Sequence, residues 1–341
     1  MKKNVIFLPE IGTFFNRDID LAKCSVDRLV AYGATCIKGE VLHDPEICLK
    51  GEFYERYYDI ESQKWVEVNY RELIEKKVNS IEQYHTLFSH VLSRGCDLAL
   101  SVYDARGVEF AGDLKAKFVK ISSSNITHRP LIDAISKLNS TILLDTGHAS
   151  TEEIGRAVGW LSENRVTDFV IEHSPPAPPA PVTEHNLQYM VNLGRIFGCR
   201  YGLSDHHAGL EMMMAAVAMG ASVIEKGIKL GSGVDQDTAH AMDIDDVPYL
   251  IQALQNIALG LGNGSRTLLP NRKKYQSRMG LIAKVPIASG ELLCENNVSF
   301  AFPCLGIPVE QIESIKDVTV RKDIEEGQPI FWHDISIFPQ P

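Results

Sequence analysis

Long apolar runs are missing from this 341-residue chain. None approaches the roughly 20 residues that a bilayer-spanning helix needs. The short apolar run in "MKKNVIFLPEIG" is broken by a glutamate, which is not the pattern of a secretory leader, so a cytoplasmic protein is expected. Cationic excess is missing too: 44 acidic residues stand against 34 lysines and arginines, a formal net charge of −10. That balance argues against nucleic acid or an anionic membrane surface as the main partner, though not against a small anion in a local basic pocket. Cysteines are few and scattered, at 24, 36, 48, 96, 199, 294 and 304, with no CxxC pair. An odd count without clustering reads as reduced, mostly buried thiols.

What is present is alternation. Short β-branched runs take turns with amphipathic stretches. "NVIFLPE", "ATCIKGE", "DLALSVYD", "AKFVKISSS", "STILLDTGH", "TDFVIEHS", "CRYGLSDHH" and "ASVIEKG" read as eight strands. Helices are expected over about Ile19–Tyr32, stopped by Gly33, over Ile81–Arg94, from Ser150 behind the cap "STEE", over Ala208–Met219 and over about Asp245–Leu261. A polar, Tyr-rich insertion runs from about His43 to Asn79. Eight strands with interleaved helices predict a (β/α)8 TIM barrel, whose chemistry sits at the C-terminal strand ends. Those ends supply Glu10; Lys38 and Glu40; Asp104; Lys120 and Ser123; Asp145 and His148; Glu172 and His173; Ser204, Asp205 and His206; Glu225 and Lys226. Any one of them alone reads as a solvated loop residue. The whole set reads as an active site.

The pattern changes after "GNGSRTLLPNRKKYQSR", a glycine-containing, basic, non-periodic linker. Short strands and turns follow, and two phrases echo each other: "AKVPIASGELLCENNV" and "VRKDIEEGQPIFWHDI". The organisation expected is a barrel over 1–262, a linker over 263–277 and a small β-rich domain over 278–341.

These motifs resemble the N-acetylneuraminate (sialic acid) synthase family. "PEIGTFFNRDIDLAKCSVDRLVAYGATCIKGE" is similar to its opening strand, helix and second strand. "VKISSSNITHRPLI" and "LLDTGHAS" are similar to its fourth- and fifth-strand motifs, and "YGLSDHHAGLE…AVAMGASVIEK" is the most specific match. The C-terminal echo resembles the family's antifreeze-like (SAF) domain. The resemblance implies a domain-swapped homodimer that condenses phosphoenolpyruvate (PEP) with an aldose, using a divalent cation, Mn2+ or Mg2+. It further implies roles for Glu10 as metal-water or acid/base group and for Lys38 and Lys120 as PEP-binding lysines. Ser123, Ser204, Glu40 and Asn125 would contact substrate, His206 would be a metal histidine, and Asp237 would contact the sugar.

Departures from the family pattern are as informative. Phe14-Phe15 stand where the family has Asn-His, Gly227 where it has a second metal histidine, and Asp145 where it has a serine. "SPPAPPAP" replaces polar residues after the sixth strand and is expected to be a stiff wall at the site mouth. Phe302 falls at the arginine that reaches the partner's sugar. Two added aromatics suggest a less polar aldose pocket, suited to a bulky N-acyl or deoxy sugar. An extra carboxylate at 145 should oppose a bound phosphate. Asp145, His148, His173 and His206, with Glu10, offer ligands for a relocated metal site. Three readings follow: a synthase making a nonulosonic-type sugar acid, a metal-dependent lyase or hydrolase without PEP, or a non-catalytic paralogue beside an active synthase.

Overall fold

The computed structural model describes residues 5–59, 64–176, 180–230, 240–265, 277–316 and 318–336. The chain divides into two compact units, Met1–Asn263 and Gly264–Pro341.

The first unit is built on eight parallel strands: β1 (Ile6–Gly12), β2 (Cys36–Val41), β5 (Asp97–Val102), β6 (Phe118–Ile121), β7 (Thr141–Asp145), β8 (Phe169–His173), β9 (Arg200–Asp205) and β10 (Val223–Lys229). They are hydrogen-bonded in chain order, and β1 also pairs with β10, so the sheet closes into a barrel. Helices α1 (Ile19–Ala31), α3 (Ile81–Ser93) and α4 (Ala105–Asp113) follow successive strands, as do α5 (Arg129–Ile135), α6 (Thr151–Glu163), α7 (Leu187–Phe197), α8 (Glu211–Ala218) and α9 (Val247–Gly260). Their ends obey local chemistry. Asp18 caps α1, and Gly33 follows its end at φ +95°, which an L-residue rarely adopts. Ser150 and Glu153 form a reciprocal capping box on α6. Helix α8 begins at Glu211 rather than at the expected Ala208. The preceding turn is held instead by Lys226, whose ammonium donates to the His207 carbonyl.

The barrel interior changes character in one step. Leu8, Cys36, Ala99, Phe118, Leu143, Val170 and Val223 form a small apolar cluster inside it. Two residues further along each strand, where alternation brings the next side chain inward, stand Glu10, Lys38, Ser101, Lys120, Asp145, Glu172 and Glu225. The apolar layer plugs the barrel, and an ionisable layer closes its C-terminal mouth.

Between β2 and α3 the chain makes an excursion. Strands β3 (Tyr54–Asp59) and β4 (Lys64–Asn69) pair antiparallel, and helix α2 (Tyr70–Lys77) follows, capped by Asn69. The smaller unit is β-rich, with a core of Leu281, Ile287, Leu293, Ile307, Ile324 and Ile330 among others. Its sequence echo is a structural one. Ile287 and Ile324, at equivalent places in the two phrases, exchange backbone hydrogen bonds of 2.9 Å, and Gly290 and Gly327 both take positive φ in the turns that follow. Among the described residues no helix is long and apolar enough to cross a membrane.

Candidate active site

A cavity of about 660 Å³ opens at the C-terminal mouth of the barrel. Its floor is the ionisable layer. The Lys38 ammonium donates to Glu10 Oε1 and lies 3.6 Å from Glu40 and 3.7 Å from Glu225. Lys120 Nζ stands 2.7 Å from Asp145 Oδ2, 2.5 Å from Glu225 Oε1 and 3.5 Å from Glu172 Oε2, and donates to Ser204 Oγ at 3.2 Å. Five carboxyl groups therefore face two ammonium groups. Both oxygens of Glu172 are buried without a hydrogen bond, as is Glu225 Oε2.

Desolvation sorts the carboxyls. Burial pushes Glu10 up to about 8 against the pull of Lys38, and Glu172 up to about 8 against that of Lys120. Glu225 goes the other way. Burial would raise it too, but Lys120 and Lys38 together outweigh that and bring it down to about 2. Burial also pulls on the two lysines, yet the surrounding carboxylates hold both above the usual lysine range. Around neutrality the floor thus carries charged Lys38, Lys120 and Glu225, while burial biases Glu10 and Glu172 toward their protonated forms.

The walls come from loops. The turn Ser123–Asn125 after β6 brings Ser122, Ser123, Ser124 and Asn125 to the cavity, with His128 beyond it. Tyr103 donates to Glu40 Oε1 at 3.1 Å. Ile47 and the α2 residues Tyr70, Ile74 and Lys77 line the opposite part, so the excursion after β2 furnishes a mixed apolar and basic wall. Phe14 adds an aromatic face. His206, after β9, lies beside His240, which follows β10, with ring centres 4.6 Å apart and planes tilted by 54°. Burial and the nearby Lys120 depress His206 to about 4, so its imidazole is neutral at physiological pH, and its buried Nδ1 has no hydrogen-bond partner.

Of the residues expected from the sequence, Glu10, Lys38, Glu40, Lys120, Ser123, Asn125, Asp145 and His206 all meet at this cavity. Ser204 lies just beneath it, between Lys120 and Glu225. Asp237 lies outside the described residues. Phe302 belongs to the smaller unit, where it is 63% exposed.

Other expectations need correction. The relocated metal set is not assembled. His148 is exposed and does not line the cavity, while buried His173 spends Nε2 on the His185 carbonyl at 2.6 Å, and burial lowers its basicity. Asp145 is committed to Lys120. Among the described residues no three His, Cys, Asp or Glu side chains converge as a metal set. Only one of the paired phenylalanines reaches the mouth, because Phe15 is fully buried in the outer core. The described part of "SPPAPPAP" does not line the cavity; Ala180 N donates to the His206 carbonyl at 3.1 Å. Sequence reasoning missed His240, which sits on no strand end. It also gave no weight to Tyr103 or the α2 wall. Glu172, already marked in the sequence as a strand-end residue, lies on the same side of "FVIEH" as Val170.

The comparisons agree with this architecture. A model of the NeuB family matches residues 25–266, and one of the SAF domain matches residues 278–336. The pseudaminic acid synthase of Helicobacter pylori is 28% identical over 332 residues, which cover 96% of this chain and 96% of that protein. The N,N'-diacetyllegionaminic acid synthase of Campylobacter jejuni is 28% identical over 337 residues, covering 97% of this chain and 99% of that protein. Among solved structures, the N-acetylneuraminic acid synthetase of Leptospira borgpetersenii, in complex with citrate, superposes with a TM-score of 0.68 at 20% identity. It covers 79% of this chain and 89% of that one, a likeness of fold. With the barrel and the small domain each matched, and in this order, the chain belongs to the NeuB family.

Proposed function

We propose that this protein condenses phosphoenolpyruvate with an amino- or deoxy-sugar aldose to give a nonulosonic-type sugar acid for surface glycans. The observation that carries the reading is the pair of buried, charged lysines, Lys38 and Lys120, on the floor of one cavity beside a serine-rich turn. Two ammonium groups and hydroxyl donors suit a phosphate and a carboxylate on one small molecule. Likeness to synthases of pseudaminic and legionaminic acids supports the same choice.

In this reaction C3 of PEP forms a bond to the aldehyde carbon. Water adds at C2, and the C2–O bond to phosphate breaks. The aldehyde oxygen must gain a proton as the carbon–carbon bond forms. Glu10, whose carboxyl burial raises to about 8, is the acid assigned to that transfer. Lys38 and Lys120 hold the phosphate and carboxylate, and Ser123 and Asn125 orient them. A divalent cation held by the neutral imidazole of His206 would supply Lewis acidity toward the aldehyde oxygen. Phe14, Ile74 and Tyr70 give the acceptor half an apolar wall, which favours a bulky N-acyl or deoxy sugar over a fully hydroxylated one. The resemblance to the family further suggests a homodimer, which sedimentation equilibrium tests.

The decisive assay is phosphate release from PEP with a panel of aldoses, the product identified by mass spectrometry. Phosphate release that depends on both PEP and an N-acyl or deoxy aldose is expected. Failure with every aldose, or a strict preference for a fully hydroxylated aldose, would overturn the reaction or the acceptor class respectively. A second reading, a lyase or hydrolase acting on a sugar acid without PEP, draws on the carboxylates that crowd Lys120. Turnover without PEP would favour it.

A further inference from the structure

We infer that His206 and His240 together form the protein's divalent-cation site, with His240 delivered by the segment that follows β10. This deepens the synthase reading, and it rests on that reading for the cation's role but not for its binding.

Three observations converge. The first is the pair itself. Both rings line the cavity, their centres 4.6 Å apart and their planes tilted rather than stacked. Two imidazoles on adjacent corners of one metal, each nitrogen about 2.1 Å from it, place their ring centres roughly 4.5–5 Å apart. The second is anchoring. Met242 pairs with Ile228 and Asp243 with Lys229 in a parallel ladder, so the segment carrying His240 runs alongside β10. His240 itself is 5% exposed.

The third is Gly227. It lies two residues after the inward-facing Glu225, where a side chain would enter the mouth. A Cβ there would meet Phe14 Cε2 at 3.2 Å and Ala241 Cβ at 3.5 Å. The space that a residue at 227 would use is therefore filled from two sides, by Phe14 and by the neighbour of His240. The neighbour of His240 thus sits against the place where a side chain at 227 would begin. Among the described residues no third protein ligand completes a set. Water and substrate oxygens would then hold the remaining corners, as a Lewis-acid centre requires. Mixed imidazole and oxygen coordination suits a first-row divalent ion such as Mn2+.

The test is a titration of the protein with Mn2+ alone, read by the loss of the free-ion electron paramagnetic resonance signal, with thermal melts in parallel. Wild type should bind one ion per chain and gain Tm on saturation. His206→Ala and His240→Ala should each bind at least tenfold more weakly and lose the Tm gain. His240→Gln, closer in size and polarity, should behave like His240→Ala and covers the case in which alanine disturbs folding. Unchanged Mn2+ affinity in a folded His240 variant, or no stoichiometric binding by wild type, would overturn the inference. PEP-dependent phosphate release by wild type alongside unchanged Mn2+ binding in His240→Ala would leave the synthase reading standing and this one not. Mn2+ binding lost in both histidine variants, with no PEP turnover in wild type, would do the opposite.

Discussion

Asp145→Asn is the most direct probe of how the floor treats a phosphate. Asp145 Oδ2 stands 2.7 Å from Lys120 Nζ, so a phosphate sharing that lysine must lie about 4 Å from the carboxylate. Like unit charges at about 4 Å repel by about 4 kcal/mol at an effective dielectric of about 20. The cavity is open to solvent and salt, and roughly half of that is expected to survive. A gain of about 2 kcal/mol corresponds to roughly 30-fold tighter PEP binding. Asparagine nearly matches the volume of aspartate, and Lys120 keeps Glu225 at 2.5 Å and Glu172 at 3.5 Å, so the fold should hold. The assay is calorimetric titration of PEP into wild type and variant at about 0.15 M salt, with melts as a control. Asp145→Glu retains the charge and should give no gain. Unchanged or weaker PEP affinity in a stably folded Asp145→Asn protein would refute the reasoning.

Three further outcomes are expected. Lys120→Met leaves Asp145 and Glu225 without their shared cation and should cost about 3–5 kcal/mol of stability, read by urea denaturation; a loss under about 1 kcal/mol would contradict the ion-pair picture. Glu172 has a folded pKa raised to about 8 from an ordinary 4.5, so the folded state binds the extra proton between those values. Its contribution is complete below about 4.5 and is lost as pH rises through 8. Glu172→Gln should therefore gain stability relative to wild type by up to about 1.4 kcal/mol per pH unit across that window, and parallel melting profiles at pH 5.5 and 8.5 would count against it. Gly227→Ala should cost about 1 kcal/mol through its contact with Phe14, and most of that cost should vanish in a Phe14→Ala background; an additive double-mutant cycle would deny the coupling.

The barrel was legible because a period-two pattern and a charged strand end mark each strand independently. "NVIFLPE" and "ASVIEKG" each carry the apolar plug residue, Leu8 or Val223, two positions before the floor residue, Glu10 or Glu225. The echo in the smaller unit was equally readable, since equivalent isoleucines and glycines repeat there with the same spacing. What the sequence hid was convergence from loops. His240 approaches His206 only because β10 and the segment after it run in register. Helix α8 starts only at Glu211, and the turn before it is tied to the neighbouring strand by Lys226, which donates to the His207 carbonyl. His148 and His173 looked like ligands because strand ends predict position along the barrel, not the direction in which a rim side chain finally points. Phe14 and Phe15 were indistinguishable as letters, yet one lines the cavity and the other is core.

The cavity joins two regions with separate origins. Its floor comes from strands whose register is fixed around a closed barrel, whereas Ile47, Tyr70, Ile74 and Lys77 come from the excursion between β2 and α3. On the proposed function, chemistry and selection are written in different stretches of the chain. Exchanging residues 43–79 for the corresponding stretch of a relative should retune which sugar is accepted while leaving the proton-holding floor as it is. Such a graft is a route by which one catalytic base could diversify into many surface sugars.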